Sequence, residues 1–242
     1  MKIKRLSIQN SFDATLKDSN LENLGIDISE LAIDSILEDG LLKEVPIVGT
    51  IVNFTKFSAN VHDRLFLKKI LTFLNNLKDV PMRKRSELIE NINRSKKYRI
   101  KLGEKLLYII DSCEDYEISE LIGFLFKAFT EGRITYDEFL KSASILKNLH
   151  ISDFNWFIQQ GEDHRFQLDD VGDLISSGLF ELSYEQLDVR VEDEDDYKTL
   201  RESPSSKYKT NIEGGGIGVQ LSLTGEILLK IFSTSYQPKG DL

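Results

Sequence analysis

The chain contains few of the residues that mark specialised protein classes. Among 242 residues there are 1 Cys, 4 Pro, 2 Met and 1 Trp. One cysteine cannot form an internal disulfide, so the sequence excludes a disulfide scaffold and predicts a reducing, cytoplasmic location. So few prolines argue against long proline-rich linkers, and we expect most of the chain to be ordered.

Long hydrophobic runs are also lacking. The longest apolar stretch, Val45 to Phe54, is interrupted by Gly49, Thr50 and Asn53 and is closed by Lys56. A membrane-spanning helix needs about 20 consecutive apolar residues, so we expect no stable span. The N-terminal residues are basic, but no apolar segment follows them, so no secretory signal is expected.

The sequence has no excess of positive charge, and its charges are unevenly placed. The formal net charge is −9 at pH 7, which disfavours general binding to nucleic acid. We call residues 82–105 the basic stretch. Its nine cations, against three carboxylates, are Arg83, Lys84, Arg85, Arg94, Lys96, Lys97, Arg99, Lys101 and Lys105. We call residues 181–202 the acidic stretch. Its nine carboxylates, against three cations, are Glu181, Glu185, Asp188, Glu192, Asp193, Glu194, Asp195, Asp196 and Glu202.

The spacing of apolar residues predicts a mainly α fold. Over residues 26–160 they recur mostly at three- and four-residue intervals, which is typical of helices packed as a bundle. The spacing predicts a long helix from about Ile47 to Leu77. Residues 1–25 form an N-terminal segment, and a strand is predicted over Lys2 to Ile8.

Capping residues predict where further helices begin. Ser29 would cap a helix that runs through Leu37, and Ser152 would cap the last helix of the bundle. A helix that ends before Gly132 is also expected.

One segment resembles a calcium site without being one. Residues 124–139 look like the second half of an EF-hand, with Glu138 at the twelfth loop position. The first and third ligand positions would be Lys127 and Phe129, and neither can give an oxygen ligand to a cation. A capping box between Thr135 and Glu138 explains the pattern instead.

The last third of the chain has a different pattern. Leu168 to Phe180 predicts a short helix that ends at Gly178 and leads into a strand, and Val219 to Phe232 predicts a strand and a closing helix. This order resembles a winged-helix module. The module is placed at residues 161–242 and has an expanded wing in the polar insert 183–218.

The charges of that module disfavour DNA binding. The helix that would lie in a DNA groove carries Asp169, Asp170 and Asp173 and no Lys or Arg, so this use of the fold is electrostatically disfavoured. Alternation over Leu187 to Glu192 predicts an extra edge strand in the insert. Residues 219–223 are predicted to form a strand with one buried face.

The sequence contains no catalytic or metal-binding constellation. His62, His150 and His164 lie far apart, without a second His or Cys at the spacing of a zinc site. Gly214 to Gly218 lacks the Lys-Ser/Thr pair of a phosphate-binding loop, so a turn is expected. Cys113 is expected to be buried and protonated. We therefore predict a protein that is not an enzyme and has no cofactor or metal.

Candidate partner-binding residues lie in the two charged stretches. Arg94, Lys97 and Lys101 have the spacing of one helix face beside Tyr98, where they could hold phosphate or an acidic partner. A solvated helix face is the alternative interpretation. The candidates in the acidic stretch are Glu192, Asp193 and Asp195.

These observations favour a non-enzymatic interaction or regulatory protein that contacts another protein through the acidic insert, self-association included. One alternative is nucleic-acid binding through the basic helix around Arg83 to Lys105. Another is a membrane-active effector that uses the apolar segment Val45 to Phe57, although a buried core helix is the preferred interpretation of that segment.

Residues 36–77 contain the sequences Leu-Lys-Glu-Val-Pro-Ile-Val-Gly-Thr-Ile-Val and Asp-Arg-Leu-Phe-Leu-Lys-Lys-Ile-Leu-Thr-Phe-Leu. This part resembles a group of uncharacterised bacterial proteins, some of which lie near mobile-element or phage-defence genes. The resemblance covers about half of the chain and brings no active site. It implies a bacterial origin and a role connected with antiviral defence.

Overall fold

The computed structural model describes residues 2–23, 45–54, 61–161, 165–193, 208–234 and 236. The fold is mainly α, a helical bundle followed by a small α+β module, as the sequence predicts. The helices of the bundle are α1 (Lys2–Leu16), α2 (Pro46–Phe54), α3 (Val61–Asn75), α4 (Met82–Arg94), α5 (Leu102–Asp111), α6 (Tyr116–Thr130), α7 (Tyr136–Leu146) and α8 (Ile151–Gln159). A 3₁₀ turn, Ser19–Asn23, follows α1. The module contains α9 (Leu168–Val171), a 3₁₀ helix (Gly172–Ser177), β1 (Phe180–Tyr184), β2 (Asp188–Asp193), β3 (Tyr208–Glu213), β4 (Ile217–Leu221) and α10 (Leu223–Ser233).

The N-terminal segment is helical, so the strand predicted over Lys2 to Ile8 is wrong. Phe12 and Leu16 are fully buried and Ile8 is partly buried. Their spacing of four residues places the three side chains on one helix face. Packing of this face against the bundle stabilises a helix where the local sequence alone favoured a strand.

Helix α2 lies in the core. Ile47, Val48 and Ile51 are buried, and the N–H of Ile47 donates to Thr15 Oγ1 at 3.0 Å, which joins α2 to α1. This burial favours the core interpretation of the apolar segment over insertion into a membrane. Within the described ranges, no helix combines the length and hydrophobicity needed to cross a bilayer.

The region of the predicted long helix, Ile47 to Leu77, contains α2 and α3, and the second of these ends at Asn75. Residues 55–60 lie outside the described residues, so continuity between the two helices stays a prediction. The helix predicted from Ser29 to Leu37 also lies outside them.

Helices α3 and α6 pack closely at the centre of the bundle. The ring centroids of Phe73 on α3 and Phe126 on α6 are 5.6 Å apart. A Cβ atom added to Gly123 of α6 would lie only 2.8 Å from the backbone oxygen of Phe73 and 2.9 Å from Nδ2 of Asn76. The missing side chain of Gly123 therefore allows the two backbones to approach.

The predicted capping box is present at the start of α7. The N–H of Glu138 donates to Thr135 Oγ1 at 3.3 Å, and the N–H of Thr135 donates to Glu138 Oε2 at 2.7 Å. The predicted cap of α8 is wrong, because His150 occupies that position and its Nδ1 accepts the N–H of Ser152. An imidazole nitrogen can replace the usual side-chain oxygen, and the common capping residues do not include it.

The module keeps most of its predicted elements. Gly178 ends the 3₁₀ helix with φ 91°, and the extra strand predicted in the insert is β2. The strand predicted over 219–223 is displaced by two residues, because β4 begins at Ile217. β4 ends at Leu221, and Leu223 is 67% exposed at the first position of α10 because Ser222 caps that helix.

The four strands form two antiparallel ladders placed end to end. β1 pairs with β4 and β2 pairs with β3, and the register is the same in both ladders. The short connections 185–187 and 214–216 separate them. We call residues 180–193 together with 208–221 the hairpin.

Aromatic side chains join the module to the bundle. Ring centroids of Phe154 on α8 and Phe232 on α10 are 5.0 Å apart, and those of Phe157 on α8 and Phe180 on β1 are 5.7 Å apart. Phe166 lies 4.8 Å from Phe180. Each such pair adds about 1 kcal/mol to the stability gained by burial. The buried residues of module and bundle therefore form one continuous core.

Replacement of Gly123 by alanine tests the close approach of α3 and α6. In a helix this change normally stabilises by about 1 kcal/mol. Here the new Cβ would lie 2.8 Å from Phe73 O, and overpacking costs roughly 1–3 kcal/mol. We expect the free energy of unfolding in urea to fall by about 1 kcal/mol. The control Ser144→Ala, at an exposed position of α7, should change it by less than about 0.5 kcal/mol. A Gly123→Ala protein at least as stable as the original would contradict the packing.

Candidate functional site

The basic stretch does not form one helix face. α4 ends at Arg94, and Lys101 is the residue before α5. The predicted alignment of Arg94, Lys97 and Lys101 on one helix is therefore wrong. The physical reason is a local cap, because Asn93 Oδ1 accepts the N–H of Leu102 at 2.8 Å and a new helix begins there.

Lys97 and Tyr98 make contacts within the protein. Lys97 Nζ donates to one carboxylate oxygen of Asp137, and Tyr98 OH donates to the other at 3.0 Å. The hydrogen bond from Lys97, followed by that from Tyr98, lowers the pKa of Asp137. The hydrogen bond to Asp137 raises the pKa of Lys97. The Tyr98 ring also meets Tyr136 edge to face, with centroids 4.6 Å apart. These contacts hold the connection between α4 and α5 against α7.

Carboxylates on α4 neutralise further cations. Arg83 donates to Glu87 at 2.8 Å, and Arg94 donates to Glu90 at 3.1 Å, each pair one helical turn apart. Of the four predicted binding residues in this stretch, three thus have partners inside the protein: Arg94, Lys97 and Tyr98. Contact of these residues, or of Lys101, with another molecule stays a prediction.

Arg85 belongs to the core and not to the basic surface. Its side chain is 1% exposed, and Nη2 donates to the backbone oxygen of Asp18 at 2.8 Å. The contact ties α4 to the segment that follows α1. Nothing in the run Arg83-Lys84-Arg85 distinguishes this arginine from its exposed neighbours, so the sequence alone does not reveal its position.

Replacement of Arg85 by alanine should destabilise the whole protein, because it removes a buried charge-assisted hydrogen bond and the packing of the side chain. We expect a loss of about 3 kcal/mol in the free energy of unfolding, measured in urea. Lys84→Ala, at the exposed neighbouring position, is the matched control and should change it by less than about 0.5 kcal/mol. Equal effects of the two substitutions would show that Arg85 is not a core residue.

Two of the three acidic candidates lie at the end of the hairpin that is farther from the core. Glu192 and Asp193 are the last residues of β2 and stand opposite Lys209 and Tyr208 in the register. Asp195 lies outside the described residues. The binding roles of all three stay predictions.

The net charge of the chain comes from the module. Residues 1–160 contain 23 acidic and 23 basic residues, whereas residues 161–242 contain 17 acidic and 8 basic residues. The bundle is therefore neutral as a whole, and the module carries the entire formal charge of −9. A partner of the module should be neutral or basic, because like charges repel across an interface.

Apolar side chains continue along the hairpin beyond the core. Along β1 the exposed fraction rises from 4% at Phe180 to 40% at Leu182 and 71% at Tyr184. Their cross-strand partners on β4 are also apolar: Leu221, Val219 and Ile217. In the second ladder, Val189 pairs with Ile212, and both are more than half exposed. Opposed apolar pairs stabilise a ladder, but these also present apolar surface to solvent.

This concentration of exposed apolar side chains is specific to the hairpin. In the described part of the chain 13 large hydrophobic side chains are exposed, and six of them lie on the hairpin: Leu182, Tyr184, Leu187, Val189, Ile212 and Ile217. Single exposed hydrophobic residues are normal on a surface, whereas a set of neighbours marks a contact site.

Glycines shape the connection between the two ladders. Gly214 and Gly215 have φ of 83° and 78°, and a Cβ on Gly214 would lie 2.2 Å from Gln186 O. The apolar alternation shifts by one residue between Tyr184 and Val189, opposite these glycines. Left-handed glycines are typical of such irregular points in a ladder. The turn expected over Gly214 to Gly218 is therefore wrong, because residues 214–216 continue the same arm of the hairpin from β3 into β4.

A groove of about 580 Å³ lies beside β4. One wall is the whole of β4, and the other is the segment from Arg165 to Asp169. Its ionisable side chains are Arg165, Asp169 and Glu226, and all three are exposed. Among the described residues that line the groove, no acid, base or nucleophile is buried.

The thiol of Cys113 is buried. Cys113 is 3% exposed, and burial raises the pKa of its thiol to about 11. The expectation of a buried, protonated thiol is confirmed. Among the residues that the structure describes, no three or more His, Cys, Asp or Glu side chains are grouped to hold a metal ion.

The thiol of Cys113 should react slowly in the folded protein. Its pKa rises from 9.0 to about 11, so at pH 8 we expect reaction with an aromatic disulfide reagent to be roughly 100-fold slower than in urea, followed by absorbance. Because the folded pKa exceeds the unfolded one, this group's contribution to stability is fully present below pH 9. It is lost as the pH rises towards 11. Rapid labelling without denaturant would contradict the burial.

Sequence reasoning missed the exposed apolar pairs of the hairpin. The signal was present, since residues 180–184 and 217–221 alternate with apolar residues at matching positions. The sequence does not show at which residue of the strands burial by the core ends, because that position depends on where α8 and α10 pack against β1.

Comparison of the chain with protein-family models, with curated proteins and with solved structures gives no match. Function is therefore inferred from the geometry and charge of this chain.

Proposed function

We propose that the protein is a non-enzymatic interaction or regulatory protein that binds another protein through the hairpin of its C-terminal module. The observation that carries the proposal is the set of six exposed large apolar side chains on the hairpin. An apolar centre surrounded by polar residues is the usual anatomy of a protein interface. The neighbouring residues Glu181, Glu185 and Asp188 supply polar surroundings.

The order of helix, hairpin and helix in the module supports the resemblance to a winged helix, which is part of this proposal. The charge of the module opposes the DNA-binding use of that fold. Asp169, Asp170 and Asp173 are all exposed, and the module has an excess of nine acidic residues. Phosphate groups would be repelled from this surface. Contact with a protein is compatible with both features, and the link to antiviral defence rests on the sequence resemblance alone.

The nucleic-acid alternative has less support. Non-specific binding needs several available cations along one surface. In the basic stretch Arg83, Arg94 and Lys97 are paired with carboxylates, and Arg85 is buried. The remaining cations are divided among α4, α5 and the connection between them.

Photo-crosslinking from the hairpin tests the proposal. A photoreactive amino acid placed at Ile212, which is 64% exposed, should give a discrete crosslinked protein when the full chain is expressed in its native cells. The same amino acid at Tyr108, which is 62% exposed on α5 of the neutral bundle, is the matched control. We expect at least a fivefold stronger adduct from the hairpin position, about 1 kcal/mol of preference.

In a companion experiment the photoreactive group is placed at Val189 and Ile212 is replaced by lysine. Ile212→Lys should weaken the same adduct. Because the Ile212 side chain is exposed, the free energy of unfolding should stay within about 0.5 kcal/mol of that of the unsubstituted protein. Adducts of equal yield from the hairpin and the bundle, or no protein adduct from the hairpin, would contradict the proposal.

A further inference from the structure

The hydrogen-bonding pattern identifies a free edge of the hairpin. The N–H of Glu185 donates to Gly216 O at 3.0 Å, and the N–H of Ser222 donates to Leu179 O at 2.9 Å. Hydrogen-bonded pairs alternate with non-hydrogen-bonded pairs along an antiparallel ladder. The pairs between these two points that bond across the ladder are therefore Ser183 with Gly218 and Glu181 with Gln220.

The other residues of β4 direct their backbone groups the opposite way. Ile217, Val219 and Leu221 occupy the non-hydrogen-bonded positions opposite β1. Their N–H and C=O groups point to the outer edge of β4. In the described part of the chain β4 pairs with β1 alone, so these three residues have no strand partner on that side.

The groove lies along this outer edge. All five residues of β4 line it, and no residue of β1 does. The opposite wall begins with Arg165 and Phe166, and Gln167 there is extended, with φ −101° and ψ 153°. The five residues of β4 span about 17 Å. An extended segment could therefore pair with β4 along its whole length. Exposed strand edges of this kind bind added strands readily.

Charge indicates the chemistry of the added strand. The groove contains two carboxylates, Asp169 and Glu226, and one cation, Arg165. It belongs to the module that holds all of the net negative charge. A second copy of the same acidic module would be repelled, whereas a basic segment would be attracted. Exposed Ile217 at the end of the groove adds an apolar contact.

We propose that the outer edge of β4 binds an extended, basic segment of another protein as an additional strand. Backbone groups of Ile217, Val219 and Leu221 pair with the segment, and Asp169 and Glu226 attract its Lys or Arg side chains. This inference rests on the proposed function and assigns to it a binding mode and a partner chemistry.

The test uses the full chain and a fluorescent peptide of alternating Lys and Val, with a Glu-Val peptide of equal length as the charge control. Binding is followed by fluorescence anisotropy at low and high salt. The Lys-Val peptide should bind with a Kd below about 1 mM, and the Glu-Val peptide at least tenfold more weakly. Affinity for the Lys-Val peptide should fall as salt rises. Absence of binding up to about 1 mM, or equal binding of both peptides, would overturn the proposal.

Proline substitution identifies the edge that is used. Val219→Pro removes an N–H that points to the groove and keeps the ladder to β1 intact. Leu182→Pro is the matched control, because Leu182 stands opposite Val219 and points its N–H to the other edge of the sheet. We expect Val219→Pro to weaken the Lys-Val peptide about tenfold or more and Leu182→Pro to have less than a twofold effect. Equal effects of the two substitutions would overturn the proposal.

A charge variant remains informative if the proline variants fail to fold. Asp169→Lys should weaken the Lys-Val peptide, whereas Asp170→Lys, at the exposed neighbour outside the groove lining, should do so less. A weaker effect of Asp169→Lys than of Asp170→Lys would overturn the proposal.

A dimer in sedimentation that Val219→Pro dissociates would also overturn the proposal, because the edge of β4 would then pair with its own copy. Crosslinking from Ile212 without peptide binding would overturn this inference and leave the proposed function in place. Absence of both the crosslink and the peptide binding would overturn this inference and the proposed function together.

Discussion

The position of the hairpin depends on aromatic packing at its base. Phe180, the first residue of β1, lies between Phe157 of the bundle and Phe166 of the module, with ring centroids 5.7 and 4.8 Å away. Gly225 brings α10 against the same point, because a Cβ there would lie 2.1 Å from Leu179 O. The hairpin therefore starts in the core and leaves it within a few residues. Beyond Leu182, five large apolar side chains of the described hairpin residues are more than half exposed and are available to another molecule: Tyr184, Leu187, Val189, Ile212 and Ile217.

The division of charge assigns different roles to the two parts of the chain. The bundle is neutral, and many of its surface cations are paired with carboxylates, as Lys97 is with Asp137. Such exposed pairs contribute little stability, but they reduce the positive charge that the basic stretch can offer to a partner. The module combines its acidic excess with exposed apolar side chains. An apolar hairpin edge without charge would risk pairing with copies of itself, and the repulsion between acidic modules counters this risk.

Much of the fold could be predicted from the sequence, because helical spacing, caps and turns are local properties. The capping box of Thr135 and Glu138 and the left-handed Gly178 are examples. Contacts between distant parts of the chain could not be predicted. The first helix is set by the burial of Phe12 and Leu16. Arg85 is buried because the chain that follows α1 offers it a carbonyl oxygen.

The candidate site was predicted less well than the fold. Charged residues are conspicuous in a sequence, and the prediction concentrated on them, yet Lys97 and Tyr98 proved to make contacts within the protein. The exposed apolar pairs and the outer edge of β4 depend on strand register and on where the core ends. Both are consequences of tertiary packing, so alternation alone could not separate a buried strand from one that projects beyond the core.

Amide hydrogen exchange of the full chain, with and without the protein recovered by crosslinking through Ile212, tests the central claim most directly. Binding through the hairpin predicts slower exchange at amides of the strands, with the helices of the bundle unchanged. Slower exchange in α4 and α5 together with unchanged strands would contradict it and would place the interaction on the basic stretch.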